Sequence, residues 1–213
     1  DSEKGEASDR SLSLTLKPSS ELTDEEKEEM ILKFFLANWK EAIAPHQRYE
    51  ELWANRVLKP NGAVDISETL RRYTAQDLLD LQTWFALSWF DPDLWEGEVE
   101  LPSGERVTVK PILDKGRDFT EEEKLGLVDI QFKTVKAIVP IYKKLQDDGQ
   151  IEVTTSPFSN PVLPLICDSD LARRSMPTAP LPRRFSYPED ARAQVELAVE
   201  LYRDAFGQSP GGL

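Results

Sequence analysis

The chain of 213 residues holds a single histidine, His46, and a single cysteine, Cys167. One imidazole and one thiolate cannot assemble the usual zinc or other transition-metal ligand sets, which argues against a metal-dependent deacetylase within these residues; neither a metal site nor a cofactor is expected. A lone cysteine excludes an intrachain disulfide. A reducing, cytoplasmic setting is the default expectation. A serine or cysteine triad needs an imidazole or a substitute, and Cys167, which follows an apolar run, reads as inert. Glycine is sparse as well: Gly211-Gly212 is a bare pair without the lysine or the spacing of a phosphate-cradling loop. No apolar run approaches the ~20 residues that span a bilayer. The opening DSEKGEASDR is too polar for the apolar region of a signal peptide. Lysine and arginine number 26 against 39 acidic residues, a net charge of −13. No basic stripe offsets it, so neither nucleic acid nor a membrane is an expected partner.

What remains is the length of one domain or one and a half, with 39% hydrophobic residues, enough for a sizeable core. No internal repeat is evident. Residues 1–10 are charged and small and predict disorder. Leu12, Leu14 and Leu16 alternate, predicting a brief strand or extended arm before Pro18. Thr23 with Glu26 forms a capping box, opening a helix predicted to reach about Ala42, with Met30, Ile31, Phe34 and Phe35 as its apolar face and Trp39 extending it. After Pro45 a shorter helix carries Tyr49, Leu52 and Trp53. His46 is expected at its start or on the surface. Lys59-Pro60-Asn61-Gly62 is a turn.

Thr74 with Asp77 caps the next helix. Leu78, Leu81, Trp84 and Phe85 form its stripe, widened by Leu87 and Trp89, and the helix is predicted to stop near Asp91-Pro92. A hairpin is predicted from Glu98–Leu101 and Arg106–Lys110. Thr120 to Glu123 caps the longest helix. Its predicted stripe is Leu125, Val128, Phe132, Val135 and Val139, broadened by Ile138, Ile141 and Leu145. Pro140 should bend or split it, and Gly149 should end it.

Past Gly149 the pattern changes. Alternation puts Ile151, Val153 and Thr155 on one face of a short strand and Gln150, Glu152 and Thr154 on the other. Pro157, Pro161 and Pro164 then enforce a stiff loop. Glu152 in such a strand is either an outward edge residue or salt-bridge partner, or a carboxylate in a cavity that holds a hydroxyl-rich substrate. Residues 169–184 read as loop with four arginines, expected to meet acidic groups of the same protein. Pro188 opens a last helix lined by Ala191, Val195, Ala198, Val199, Tyr202 and Phe206, with Gly207 at its end.

Several of these segments recur in one order elsewhere. Gly149-Gln150-Ile151-Glu152-Val153 followed by Thr154-Thr155-Ser156-Pro157-Phe158 and Pro161-Val162-Leu163-Pro164-Leu165 resembles glycoside hydrolase family 57, whose members act on α-glucans. So do Trp84 to Pro92, Lys115 to Thr120 and Tyr187 to Arg192. The likeness covers most of residues 11–213. It implies an α/β fold, a fragment of a distorted (β/α) barrel with a large, mainly helical insertion. Residues 1–20 would be an extended or disordered arm, 21–118 the helical insertion or cap with a small hairpin, and 119–213 a barrel segment truncated at its C-terminus.

The resemblance implies retaining hydrolysis or transfer, with an α-glucan or malto-oligosaccharide as substrate. The family's nucleophilic glutamate and general-acid aspartate are expected beyond Leu213 and its early histidine motif before Asp1, so no catalytic residue is expected within the chain. His46-Gln47-Arg48 lacks that motif's proline. The candidate substrate contacts are Glu152, Thr154, Thr155, Ser156 and Asn160, together with Trp89 and Asp91. Ser159-Asn160 stands where many relatives carry an aromatic residue and a histidine. Indole faces stack on pyranose C–H surfaces, and carboxylates accept hydroxyl hydrogen bonds. The rival expectation is a non-catalytic helical interaction or scaffold protein that keeps the family fold.

Overall fold

The computed structural model describes residues 9–212. The disordered arm expected at the N-terminus falls largely outside them. The chain divides into two compact units, one running to Ala137 and one from Ile138 onward.

The first unit is helical. Helix α1 (Arg10–Leu16) replaces the expected strand or extended arm. Asp9 caps it by accepting the Leu12 N–H at 2.7 Å. Its free C-terminal carbonyls find long-range donors, which is why helix wins over the alternating pattern. Gln82 Nε2 donates to the Leu14 and Lys17 carbonyls at 2.6 and 2.9 Å, and Lys124 Nζ donates to the Lys17 carbonyl at 2.9 Å.

Helix α2 (Asp24–Lys33) has the expected capping box but ends nine residues before Ala42. The Tyr49 hydroxyl takes the Phe34 carbonyl, and Asn38 restarts the chain by accepting the Lys40 N–H at 3.1 Å. A single wide π turn follows over Trp39–Ile43. Helices α3 (Gln47–Ala54), α4 (Ile66–Arg72) and α5 (Ala75–Leu87) come next, α5 with the predicted Thr74/Asp77 box. Helix α5 is the central element: every residue from Leu78 to Leu87 is buried. Phe85 stacks on Phe34 at 4.0 Å between centroids, and Met30, Ile31, Tyr49, Leu52, Leu81, Leu127 and Phe119 close the core around it.

Helix α5 ends at Leu87, short of the expected stop near Asp91-Pro92, and Pro92 instead opens helix α6 (Pro92–Glu96), capped by Asp91. The hairpin is real but short: β1 (Val99–Glu100) pairs antiparallel with β2 (Arg106–Val107), with Val99 opposite Val107. Helix α7 (Lys110–Lys115) ends at Gly116 with φ +72°, a left-handed cap that suits glycine.

Helix α8 (Glu121–Asp147) runs unbroken through Pro140, so the predicted split does not occur. Its seated face also differs from the predicted stripe. Lys124, Leu127, Val128 and Ala137 are buried, while Leu125, Val135, Ile138 and Val139 are exposed. The helix is turned by Lys124, whose ammonium is drawn inward by Glu121 Oε2 at 2.6 Å, Gln82 Oε1 at 3.1 Å and the Lys17 carbonyl.

The second unit holds the end of α8, an extended stretch, α9 (Leu163–Cys167), a 3-10 turn over Ser169–Arg174 and α10 (Pro188–Phe206). Arg184 meets an acidic group of the same protein, as expected of the loop arginines: it donates twice to Asp168, at 3.0 and 2.6 Å. The expected central strand is extended backbone without a ladder. Among the described residues the two short antiparallel strands form the only sheet, so the protein is mostly helical and no parallel sheet is formed. No helix of the described residues is long and apolar enough to cross a membrane.

Candidate functional site

The predicted contacts fall into two groups, one in each unit. In the first, the chain leaves α5 through a tight turn, with the Trp89 N–H donating to the Ala86 carbonyl at 3.3 Å. This turn throws the indole outward: Trp89 is 71% exposed, and its ring stands edge-on to Phe85 at 5.9 Å. Asp91 caps α6 by accepting the Asp93 N–H through Oδ1 at 3.0 Å. Both residues line an open groove of about 670 Å³, whose other walls include Leu12, Phe90, Gln131, Thr134 and Val135.

In the second unit, Tyr202 fastens the extended stretch by donating to Gln146 Oε1 at 2.6 Å and to the Val153 carbonyl at 2.9 Å. The Val153 N–H also reaches Gln146 Oε1, at 3.1 Å. Ile151, Val153 and Thr155 are half-buried, and Glu152, Thr154 and Ser156 are exposed, the alternation that the sequence predicts. Glu152 therefore points to the exposed side of the stretch rather than into an enclosed cavity.

The chain near Gly211 lies beside this stretch. A Cβ at Gly211 would come within 2.4 Å of Glu152 Oε1, and one at Gly212 within 3.8 Å of Thr154 Cγ2. The Thr155 N–H donates to the Gly212 carbonyl at 3.2 Å. Residue numbers rise together along the two segments, so they advance in the same direction. Asn160 adopts φ +49° in an exposed turn that its N–H closes onto the Pro157 carbonyl at 2.7 Å. Asparagine tolerates that left-handed region better than most residues.

Three arrangements escaped sequence reasoning. Arg48 Nε meets buried Asp80 at 2.7 Å and its Nη2 meets Asp77 at 2.6 Å. Asp80 also accepts the Phe119 N–H at 3.1 Å and Gln76 Nε2 at 2.9 Å. Burial works against the charge on Asp77, but its bonds from Thr74 and Arg48 outweigh that and hold its carboxyl below the usual range. The second is the buried Lys124 cluster; desolvation lowers the Lys124 pKa despite the Glu121 partner. The third surrounds His46. It does start α3, but it is half-buried, with its ring 4.6 Å from Trp84 and 5.3 Å from Trp95, and burial depresses its pKa. A charged residue at an apolar register position was the legible signal for Lys124. Reading Asp77 as a cap alone hides its second partner, Arg48.

Further contacts tie two of the resembling segments together. The Trp84 indole N–H donates to the Gly116 carbonyl at 3.1 Å, and Asp80 anchors the loop through Phe119. The segment from Lys115 to Thr120 is thus bound to the helix that bears Trp84 and leads to Trp89.

Residues 25–213 match glycosyl hydrolase family 57, and the chain belongs to that family. The family's activity is that of glycoside hydrolases and transferases acting broadly on α-glucans. No curated protein and no solved structure matches.

Proposed function

We propose that this chain is part of a retaining glycoside hydrolase that hydrolyses or transfers α-glucosidic bonds, with the nucleophile and the general acid supplied from outside residues 1–213. Retaining chemistry needs two carboxyl groups about 5–5.5 Å apart. In this reading Glu152 is a substrate-holding or orienting group and not the nucleophile. Glu152, Thr154 and Ser156 repeat along one face at the ~6.6 Å spacing of alternate residues in extended chain, a row of acceptors and donors suited to sugar hydroxyls. Thr155 lies on the half-buried face, Asn160 is exposed in the turn that follows, and Trp89 and Asp91 are separate candidate contacts on the surface of the first unit.

The observation that carries the proposal is the apposition of residues 152–155 with 211–212, in one direction, with α10 between them in the chain. That arrangement supports a strand–helix–strand crossover, the repeating unit of a (β/α) barrel. It puts Glu152 against the neighbouring segment, next to where a following strand would present its own side chains. An alternative, a helical interaction protein, is favoured by the exposed apolar residues of α8.

The test uses a longer enzyme that contains this region. Glu152→Gln keeps the shape of the side chain and removes its charge. It is expected to lower turnover or glucan affinity at unchanged thermal stability; wild-type kinetics would remove Glu152 from the site. Residues 1–213 alone are expected to release no reducing ends from soluble starch.

A further inference from the structure

The groove of the first unit is built differently from the surface around Glu152. It is a trough bordered by α1, the end of α5, the start of α6 and the Gln131–Val135 turn of α8, and its volume of about 670 Å³ lies within the ~300–1,000 Å³ of ordinary ligand sites. Its floor is rigid: Phe85 and Phe90 are each 7% exposed. Gln131 is fixed by donating to the Ala86 carbonyl at 2.9 Å, which leaves its carbonyl oxygen free to accept. Thr134 donates to the Ile130 carbonyl at 2.8 Å and keeps acceptor capacity. Asp91 uses Oδ1 for its cap, and among the described residues Oδ2 has no protein donor. Over this stands the Trp89 indole, one of the most exposed large apolar side chains of the unit, held edge-on by Phe85.

An apolar trough with an indole platform and a few acceptors at its rim matches a ligand that is apolar on its faces and hydroxylated at its edges. We propose that this groove is a glucan-retention site, which holds a malto-oligosaccharide strand without help from the residues that break bonds. Trp89 lies against the C–H face of one pyranose ring. Asp91 Oδ2, Gln131 Oε1 and Thr134 accept hydroxyl hydrogens from that ring and its neighbour. The proposal rests on the carbohydrate reading above, and it assigns to the first unit a binding activity of its own.

The test is titration of residues 1–213 with maltoheptaose, followed by calorimetry and by the indole N–H resonance of Trp89. Saturable binding that shifts this resonance is expected. Trp89→Ala should weaken it about tenfold. Asp91→Asn, which retains a capping side chain, should weaken it severalfold. Trp53→Ala, outside the groove, should bind as the parent does. Absence of saturable binding overturns the proposal, as does binding that survives Trp89→Ala. Binding of the apolar dye ANS in the groove without displacement by maltoheptaose also overturns it, and assigns the trough to an apolar ligand. These failures are distinguishable from failure of the activity reading, which is decided by Glu152→Gln in the longer enzyme.

Discussion

Replacing Asp80 by alanine should be the most damaging single change in the first unit. The carboxylate is fully buried and accepts from Arg48, Gln76 and the Phe119 N–H at 2.7, 2.9 and 3.1 Å. Truncation leaves the guanidinium, whose side chain is only 14% exposed, with Asp77 at 2.6 Å and the more distant Glu51 at 3.8 Å as its acidic partners. It also strands the Phe119 amide in the core. Breaking a buried ion pair from one side costs about 3–5 kcal/mol. With a urea dependence of ~1–3 kcal/mol/M, the unfolding midpoint should fall by roughly 2 M.

The assay is unusually clean. All five tryptophans, Trp39, Trp53, Trp84, Trp89 and Trp95, precede Ala137, so selectively excited tryptophan fluorescence reports the first unit. A loss below about 1 kcal/mol, the worth of an ordinary hydrogen bond, would refute the reasoning. The paired replacement Arg48→Met with Asp80→Leu should recover much of the loss, because it removes the stranded charge along with its partner.

Further expectations concern pH and the second unit. His46 has a folded pKa below its ordinary value of 6.5, so the unfolded chain binds the proton more readily. Its contribution is complete above pH 6.5 and is lost as pH falls from there through the folded value. His46→Phe should flatten the slope of stability against pH in that window, and an unchanged slope would show that another group titrates there. Asp77 and Glu121 have depressed folded pKa values, so their contributions hold above 3.8 and 4.5 and decay below, with a midpoint shift read by fluorescence during acid titration. Gly211→Ala would meet Glu152 Oε1 at 2.4 Å, the far end of a flexible side chain. It should displace that carboxylate at a stability cost of under about 1 kcal/mol, and lower turnover in the longer enzyme as Glu152→Gln does; a large loss of stability would show that the segment cannot give way.

Local chemistry was legible in the sequence, and distant partners were not. Both Thr23/Glu26 and Thr74/Asp77 form their boxes, and Pro188 and Gly207 bound α10, because each depends on neighbours three or four residues away. The errors share one cause. Helix α1 exists because Gln82 and Lys124 supply donors from more than sixty residues away. Helix α2 stops early because Tyr49 claims a carbonyl. The face of α8 follows a buried lysine rather than its apolar stripe. Each is a tertiary contact that overrides a periodic pattern.

The extended stretch shows the same logic from the other side. Its β-branched residues alternate in burial as a strand should, yet one backbone bond, Thr155 to Gly212, stands where a ladder would run. Alternation is a property of the chain, whereas a ladder is a property of its neighbours on both edges. Glu152 inherits this condition. Its carboxylate lies on the exposed side of a stretch that makes this one bond. Alternation alone does not fix what this carboxylate meets, so the Glu152→Gln comparison is made in a longer enzyme that contains this region.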